Sequence, residues 1–160
     1  QLKVQRDTPY LYSVKKVVGQ EMVDLGFNIR IHTPQLPLKT AKTTHYTYKA
    51  YVISIIDGDT LWAHIDLGFN VWTKQKLRFR GIDTQSLAQV PGQKAKAAIE
   101  KKLNACPFIV IKTYWRDKYS RYLVDVFYDA NEPQFEKVAA TGAFLNQELL
   151  DEGLGVYYEK

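Results

Sequence analysis

Between Tyr48 and Asp83 three apolar runs follow one another almost without a break: YKAYVISIID, TLWAHIDLGFNVW and QKLRFRGID. Each is rich in β-branched and aromatic residues, side chains that fit a pleated surface. Three consecutive strands, joined as a meander, are the reading. A sheet of that kind cannot be left alone, because its edge strands expose unpaired backbone groups that recruit other chains.

The rest of the sequence supplies what such a sheet needs. Pro91 opens PGQKAKAAIEKKLNAC, in which Ala95, Ile99 and Leu103 recur every fourth residue among lysines; with Asn104 near the end, this predicts an amphipathic helix. FIVIKTYW and YLVDVFY add two strands around the charged turn RDKYSR, and a longer loop runs through Ala130, Asn131, Glu132 and Pro133. AFLNQELLDEG predicts a last helix that ends on Gly153. Strands with interposed helices give an α+β class. A small closed β-barrel carrying the helices is an economical way to remove the edges.

Residues 33 to 45, TPQLPLKTAKTTH, combine prolines and threonines with few large apolar groups, the composition of a connector. We place a boundary near Thr44, giving an N-terminal extension over residues 1–44 and a main domain over 45–160. The extension contains the first copy of a repeat, since DLGFN occurs at residues 24–28 and again at 66–70. IHTPQL at 31–36 can be laid over IDTQSL at 82–87, and the copies are entered through YSVKKVV and YVISII. The first copy is shortened and has no acid pair. It reads as a degenerate half-copy of the strands, serving packing or pairing rather than a second site.

Composition narrows the class. At 46% hydrophobic and 24% charged, the 160 residues match a soluble globular chain with one main core. No apolar run is long enough to span a membrane, and no charged-then-apolar leader precedes the first elements. The sequence opens on Gln1 rather than Met, as a fragment or processed product would. Cys106 stands alone, which excludes an internal disulfide and any multi-cysteine zinc site. A reducing compartment such as the cytoplasm fits, and so does a secreted protein without disulfides. His32, His45 and His64 have no ligand spacing. Twenty-two Lys and Arg against 17 Asp and Glu give +5, a mild positive field that suits polyanions or simply solubility.

One constellation could carry chemistry. In IIDGDT, residues 55–60, Gly58 lets the chain turn so that Asp57 and Asp59 project near one another; alone, Asp-Gly is most often only a hairpin. Asp83 and Thr84 end the next long strand, which in a meander returns to the level of residue 59. Two carboxylates and a main-chain or hydroxyl oxygen could then converge on a hard cation. Arg78 precedes Asp83 by five residues and shares a strand face with Lys76 and Arg80, which by itself reads as a solvated basic face. Gly81 could host a bulge that brings Asp83 towards Arg78. Arg116 and Arg121 flank the turn DKYS. Guanidinium groups facing a cation define a place for a phosphodiester.

Taken together, VISIIDGDTLW, LRFRGIDTQ, RDKYSRYL and FLNQELLDEGLGV, in that order over residues 46–158, resemble the staphylococcal nuclease family, whose pattern is VxDGDT, RLxxxDTPE, DKYGR and NxxLxxxGLA. The resemblance implies a five-stranded OB-type β-barrel with two or three helices, to which the β-rich extension is added. It also implies one Ca²⁺ ion and hydrolysis of DNA or RNA phosphodiesters. Carried over by position, it makes Asp59 and Asp83 the cation ligands, with Thr84 contributing its carbonyl. It gives Arg78 and Arg121 the phosphate. Asp57, Lys118 and Tyr119 become supporting or substrate-side positions, and Asn146 the buried helix asparagine.

The match breaks at the base. Against DTPE the chain has DTQS, so Gln85 replaces the proline and Ser86 the glutamate that activates the attacking water. A hydroxyl can hydrogen-bond a water but cannot take its proton at neutral pH. General-base assistance contributes about 10² to 10⁴ in rate, whereas electrostatic stabilisation is often the larger share. The implied nuclease is then slow. Ser120 stands for the glycine of DKYGR, and the segment from Asp129 to Thr141 exceeds the family's short turn. Glu132 and Glu136 lie on it, and no physical argument brings either to the site. The readings left open are a weak Ca²⁺-dependent phosphodiesterase, a non-catalytic OB-type nucleic-acid binder, and a protein-interaction module using the half-repeat.

Overall fold

A computed structural model describes residues 1–32, 45–116 and 121–159. In chain order, β1 (Ser13–Val17), β2 (Gln20–Gly26) and β3 (Ile29–Ile31) form a small antiparallel sheet in the order β1-β2-β3. β4 (Thr47–Asp57), β5 (Thr60–Asp66) and β6 (Trp72–Phe79) are the expected meander. Short β7 (Ile82–Asp83) and helix α1 (Val90–Asn104) follow, then the hairpin of β8 (Ile109–Arg116) and β9 (Tyr122–Tyr128). The chain continues through α2 (Phe135–Thr141), β10 (Ala143–Phe144), α3 (Leu145–Asp151) and β11 (Val156–Tyr157). β8 pairs with β4 and β9 runs parallel to β6, and because β8 and β9 also pair with each other the five long strands close into a barrel. The class is α+β with an OB-like barrel and three helices.

Alternation along the strands decides what is inside. Leu61, Ala63 and Ile65 of β5, Leu77 and Phe79 of β6, and Val124 and Val126 of β9 are all buried. α1 covers them with Ile99 and Leu103 and α3 with Leu145 and Leu149, so the predicted every-fourth-residue stripe is the buried one. Each such side chain contributes about 1.5–3 kcal/mol when removed from water. Val23, Leu25 and Phe27 of the N-terminal sheet enter the same cluster.

Two segments differ from the sequence reading. The expected loop between Asp129 and Thr141 contains α2, because Phe135, Val138 and Ala139 fall on one helical face and bury it. The last helix starts at Leu145 rather than Ala143, since Ala143 and Phe144 pair with Tyr128 and Phe127 of β9 first. Asn146 then closes the barrel at its parallel seam. Its amide donates to the carbonyls of Arg80 and Val124 at 2.9 and 3.0 Å and accepts from the Val126 N–H at 2.9 Å.

The repeat is a repeat of conformation. In the first copy Gly26, Phe27 and Asn28 have φ of 80°, 53° and 60°, and in the second Gly68, Phe69 and Asn70 have 77°, 53° and 60°. Both turns link the second and third strand of a meander, and their hydrogen bonds are exchanged. Tyr12, ahead of the first copy, donates to the Leu67 carbonyl of the second, and Tyr48, ahead of the second, donates to the Leu25 carbonyl of the first, each at 2.6 Å.

Candidate functional site

The β4–β5 corner is held open by the absence of a side chain. A Cβ on Gly58 would stand 2.6 Å from the Ala95 methyl of α1 and 2.7 Å from the Thr84 hydroxyl, so only glycine lets the corner sit against both. Asp57 and Asp59 leave from either side of it, and the Asp57 carboxylate accepts the Asp59 N–H at 3.1 Å.

Strand register brings the remaining groups. Thr60 lies opposite Arg78, and Gly81, at φ 79°, turns the chain beyond β6 back on itself. Arg78 consequently spans two carboxylates, with Nη1 at 2.8 Å from Asp59 and Nη2 at 3.0 Å from Asp83, while Nη1 also donates to the Ile82 carbonyl. This guanidinium is 7% exposed and is not part of a solvated basic face. Thr84 donates its N–H and its hydroxyl to Asp59, both at 3.1 Å. The Thr60 hydroxyl donates to the other Asp59 oxygen at 2.9 Å and faces Arg121 Nη1 at 3.4 Å. Asp57, Asp59, Asp83, Thr84, Arg78 and Arg121 thus form one network. Lys118 and Tyr119 lie outside the described residues.

Three carboxylates here face two guanidiniums, so the cluster is short of positive charge. The acid pair responds accordingly. Burial pushes Asp57 up, and the hydrogen bond it shares with Asp59 pushes the same way. For Asp59 burial is outweighed by the Asp57 bond, the Arg78 charge and the Thr84 N–H, which hold its carboxyl below the usual range. The two carboxyls are thus shifted in opposite directions, Asp57 upward and Asp59 downward.

The donor set is chemically suited to a hard cation, being entirely oxygen and deficient in positive charge. Asp83 is half exposed, and its second carboxylate oxygen has no partner among the described residues. Against this, no three Asp, Glu, His or Cys side chains gather as a metal-binding group among the described residues. A cation shared by Asp59 and Asp83 would have to compete with Arg78 for them.

Ser86 is exposed on the loop between β7 and α1. That loop is fixed by its backbone, the Ser86 carbonyl accepting the Gln89 N–H at 3.1 Å and lying where a Cβ on Gly92 would be only 2.0 Å away. The serine hydroxyl bonds to no described residue. Neither glutamate of the α2 region substitutes for it. Glu132 accepts the Gln134 N–H, and Glu136 acts electrostatically on the Tyr10 hydroxyl, as does Asp66 at the far end of β5. Seven residues of strand, about 23 Å, separate Asp66 from Asp59.

One group was misread from sequence. Arg80, assigned to the basic face, is gripped by both oxygens of Asp125 at 2.7 and 3.1 Å, and the Tyr114 hydroxyl donates to the same carboxylate at 2.9 Å. Asp125 is completely buried. Burial raises its carboxyl and the Arg80 hydrogen bonds oppose that rise. A single acid inside the apolar strand YLVDVFY was the available signal.

A family model for staphylococcal nuclease homologues matches residues 76–160. It covers Arg78, Asp83, Thr84, Ser86, Arg121 and Asn146 and begins after the Asp57–Asp59 corner. No curated protein matches the chain.

Proposed function

The chain belongs to the staphylococcal nuclease family, and from this we propose that the Asp59–Arg78–Asp83 cluster is a Ca²⁺-dependent site for hydrolysing DNA or RNA phosphodiesters, weakened by Ser86 in the place of the general base. The supporting observation is convergence. Arg78 from β6 and Arg121 from the start of β9 both reach the Asp59–Thr60 corner, although 43 residues separate them in sequence.

Arg78 and Arg121 bind non-bridging phosphate oxygens and neutralise the charge that grows on phosphorus and on the leaving oxygen. Asp57 and Thr84 orient Asp59 by hydrogen bonds to its N–H and carboxylate. Asp59 and Asp83, with the Thr84 carbonyl, would hold a Ca²⁺ ion, whose chemistry is to polarise a phosphoryl oxygen and favour hydroxide over water. Ser86 hydrogen-bonds the attacking water without accepting its proton. Lys118 and Tyr119 are assigned to the substrate side by position. Tyr157, opposite Ile82 where β11 pairs with β7, and Tyr158, whose N–H donates to the Gly81 carbonyl, are exposed and offer stacking surfaces for bases.

The second reading is a nucleic-acid-binding module without turnover. It is favoured by the engagement of Arg78 with two carboxylates and by the lack of a base. Cleavage of single-stranded DNA with Ca²⁺ and with EDTA, by wild type and Arg121→Ala, separates the two. Slow turnover that disappears with EDTA and with Arg121→Ala supports hydrolysis. Binding without any Ca²⁺-dependent turnover leaves only the binder.

A further inference from the structure

Asp83 and Thr84 join the Asp59 cluster from outside the barrel. Among the described residues β7, which carries Asp83, pairs only with β11, Val156 lying opposite Asp83 and Tyr157 opposite Ile82. The Tyr158 N–H adds a bond to the Gly81 carbonyl at 3.1 Å, and a Cβ on Gly155 would stand 2.7 Å from the Ile82 side chain. A ladder of two short strands is marginal in water by itself. The return of the chain after β6 therefore needs a second support.

Leu2 supplies it. Its side chain is 7% exposed and lies on Gly81, where a Cβ would be 2.5 Å from Leu2 Cδ2. Yet Leu2 belongs to neither of the two clusters of buried apolar side chains. The segment that delivers it, residues 2–7, is seated by the barrel domain rather than by the N-terminal sheet. The Leu2 N–H donates to Gln147 Oε1 at 2.7 Å, and Arg6 Nη2 donates to the Gly142 carbonyl at 2.7 Å. Arg80 Nη2 and Lys112 Nζ donate to the Lys3 and Gln5 carbonyls at 2.8 and 3.0 Å. Arg80 directly precedes Gly81, so the same residue anchors the segment and leads into the turn that Leu2 covers.

We propose that Leu2 is a positioning residue for the Asp59 cluster. Seated on Gly81, it holds the returning chain so that Thr84 stays on Asp59 and Asp83 stays on Arg78, the arrangement in which two carboxylates can share a cation. This rests on the reading of the cluster as a hydrolytic site and deepens it, because it gives residues 2–7 of the extension a role there. A leucine that only filled space would stabilise the whole fold and leave the relative order of its parts unchanged.

Backbone hydrogen exchange of the full chain in EDTA tests the seating. The Thr84 N–H, bonded to Asp59, reports the return, and the Val126 N–H, bonded to buried Asn146, reports global opening. Leu2→Ala is expected to lower Thr84 protection about tenfold more than Val126 protection, and Leu2→Met to restore it. Gln147→Ala, which removes the acceptor of the Leu2 N–H and leaves the leucine intact, is expected to loosen Thr84 in the same direction. Equal losses of protection at Thr84 and Val126 overturn the proposal. Catalysis is read separately in Ser86→Glu. Adding Leu2→Ala is expected to raise the Ca²⁺ concentration for half-maximal cleavage about tenfold and leave KM for single-stranded DNA unchanged. An unchanged Ca²⁺ midpoint alongside a loosened Thr84 also overturns the proposal. A Ser86→Glu protein that cleaves nothing removes the hydrolytic reading, and the exchange pattern then decides whether Leu2 holds Asp83 and Thr84 in place.

Discussion

The two DLGFN turns have the same backbone, yet only one belongs to a meander that carries the carboxylate–arginine cluster. Their opposite strand ends explain why. Upstream of the second copy, β4 and β5 meet at Asp57-Gly58-Asp59, and downstream β6 extends to Arg78 and Gly81. Upstream of the first copy, β1 and β2 meet at Val18-Gly19, where Val18 is almost fully exposed, and β3 has only three residues. Five residues specify the turn, and the chemistry depends on strand length and on what the far corner displays. The first copy's acid, Asp24, is instead used structurally, accepting the Tyr46 hydroxyl at 2.7 Å.

The ion pairs of the two copies provide the largest contrast. Arg78→Ala leaves Asp59 buried without its guanidinium and is expected to cost about 3–5 kcal/mol in urea unfolding at pH 7. Arg30→Ala removes a partner whose side chain is 36% exposed and lies 3.9 Å from Asp24, beyond hydrogen-bond distance, and should cost less than about 1 kcal/mol. Similar losses at the two positions would break the comparison.

The turn glycines sharpen it at smaller magnitude. A Cβ on Gly26 would lie 2.1 Å from the Tyr48 hydroxyl, whereas one on Gly68 meets only the Tyr10 ring at 3.5 Å. Both positions carry the left-handed penalty of about 1 kcal/mol. Gly26→Ala must also displace the Tyr48–Leu25 hydrogen bond, adding about 1–3 kcal/mol. Thermal unfolding should therefore order the variants wild type, Gly68→Ala, Gly26→Ala.

The acid pair of the second copy gives the smallest effect, one of sign. Asp59, with its carboxyl held low, contributes stability above the ordinary carboxylate range, and that contribution is lost as pH falls through its lowered value. Asp57, raised, behaves oppositely; its contribution is complete below the ordinary range and is lost as pH rises through the raised value. Asp59→Asn should therefore cost more at pH 7 than at pH 3. For Asp57→Asn the midpoint should improve relative to wild type as pH rises over the same interval. The same slope for both variants would contradict the opposite shifts of the two carboxyls.

Much of this was legible in the sequence because it rests on local rules. β-Branched runs, the Asp-Gly corner and the every-fourth-residue stripe of α1 each act through near neighbours, and the structure follows them. α2 was missed because its apolar face is short and lies behind Pro133, where loop signals dominate. Strand alternation by itself set Arg80 and Arg78 alike on a basic face, because it places a side chain on a side without telling what covers it; only the family resemblance and the bulge expected at Gly81 singled out Arg78. Asp125, 45 residues further on, decides that for Arg80, and the turn at Gly81 decides it for Arg78. Membership of the Asp59 network was readable only through the meander register, which sets Thr60 against Arg78.

In the proposed hydrolytic site Ser86 limits turnover, and single-turnover cleavage of single-stranded DNA in Ca²⁺ by Ser86→Glu and wild type tests this most directly. We predict a rate increase of about 10² or more, with oligonucleotide affinity unchanged and the increase abolished by EDTA. A Ser86→Glu protein that binds the strand as wild type does and still cleaves no faster would contradict it.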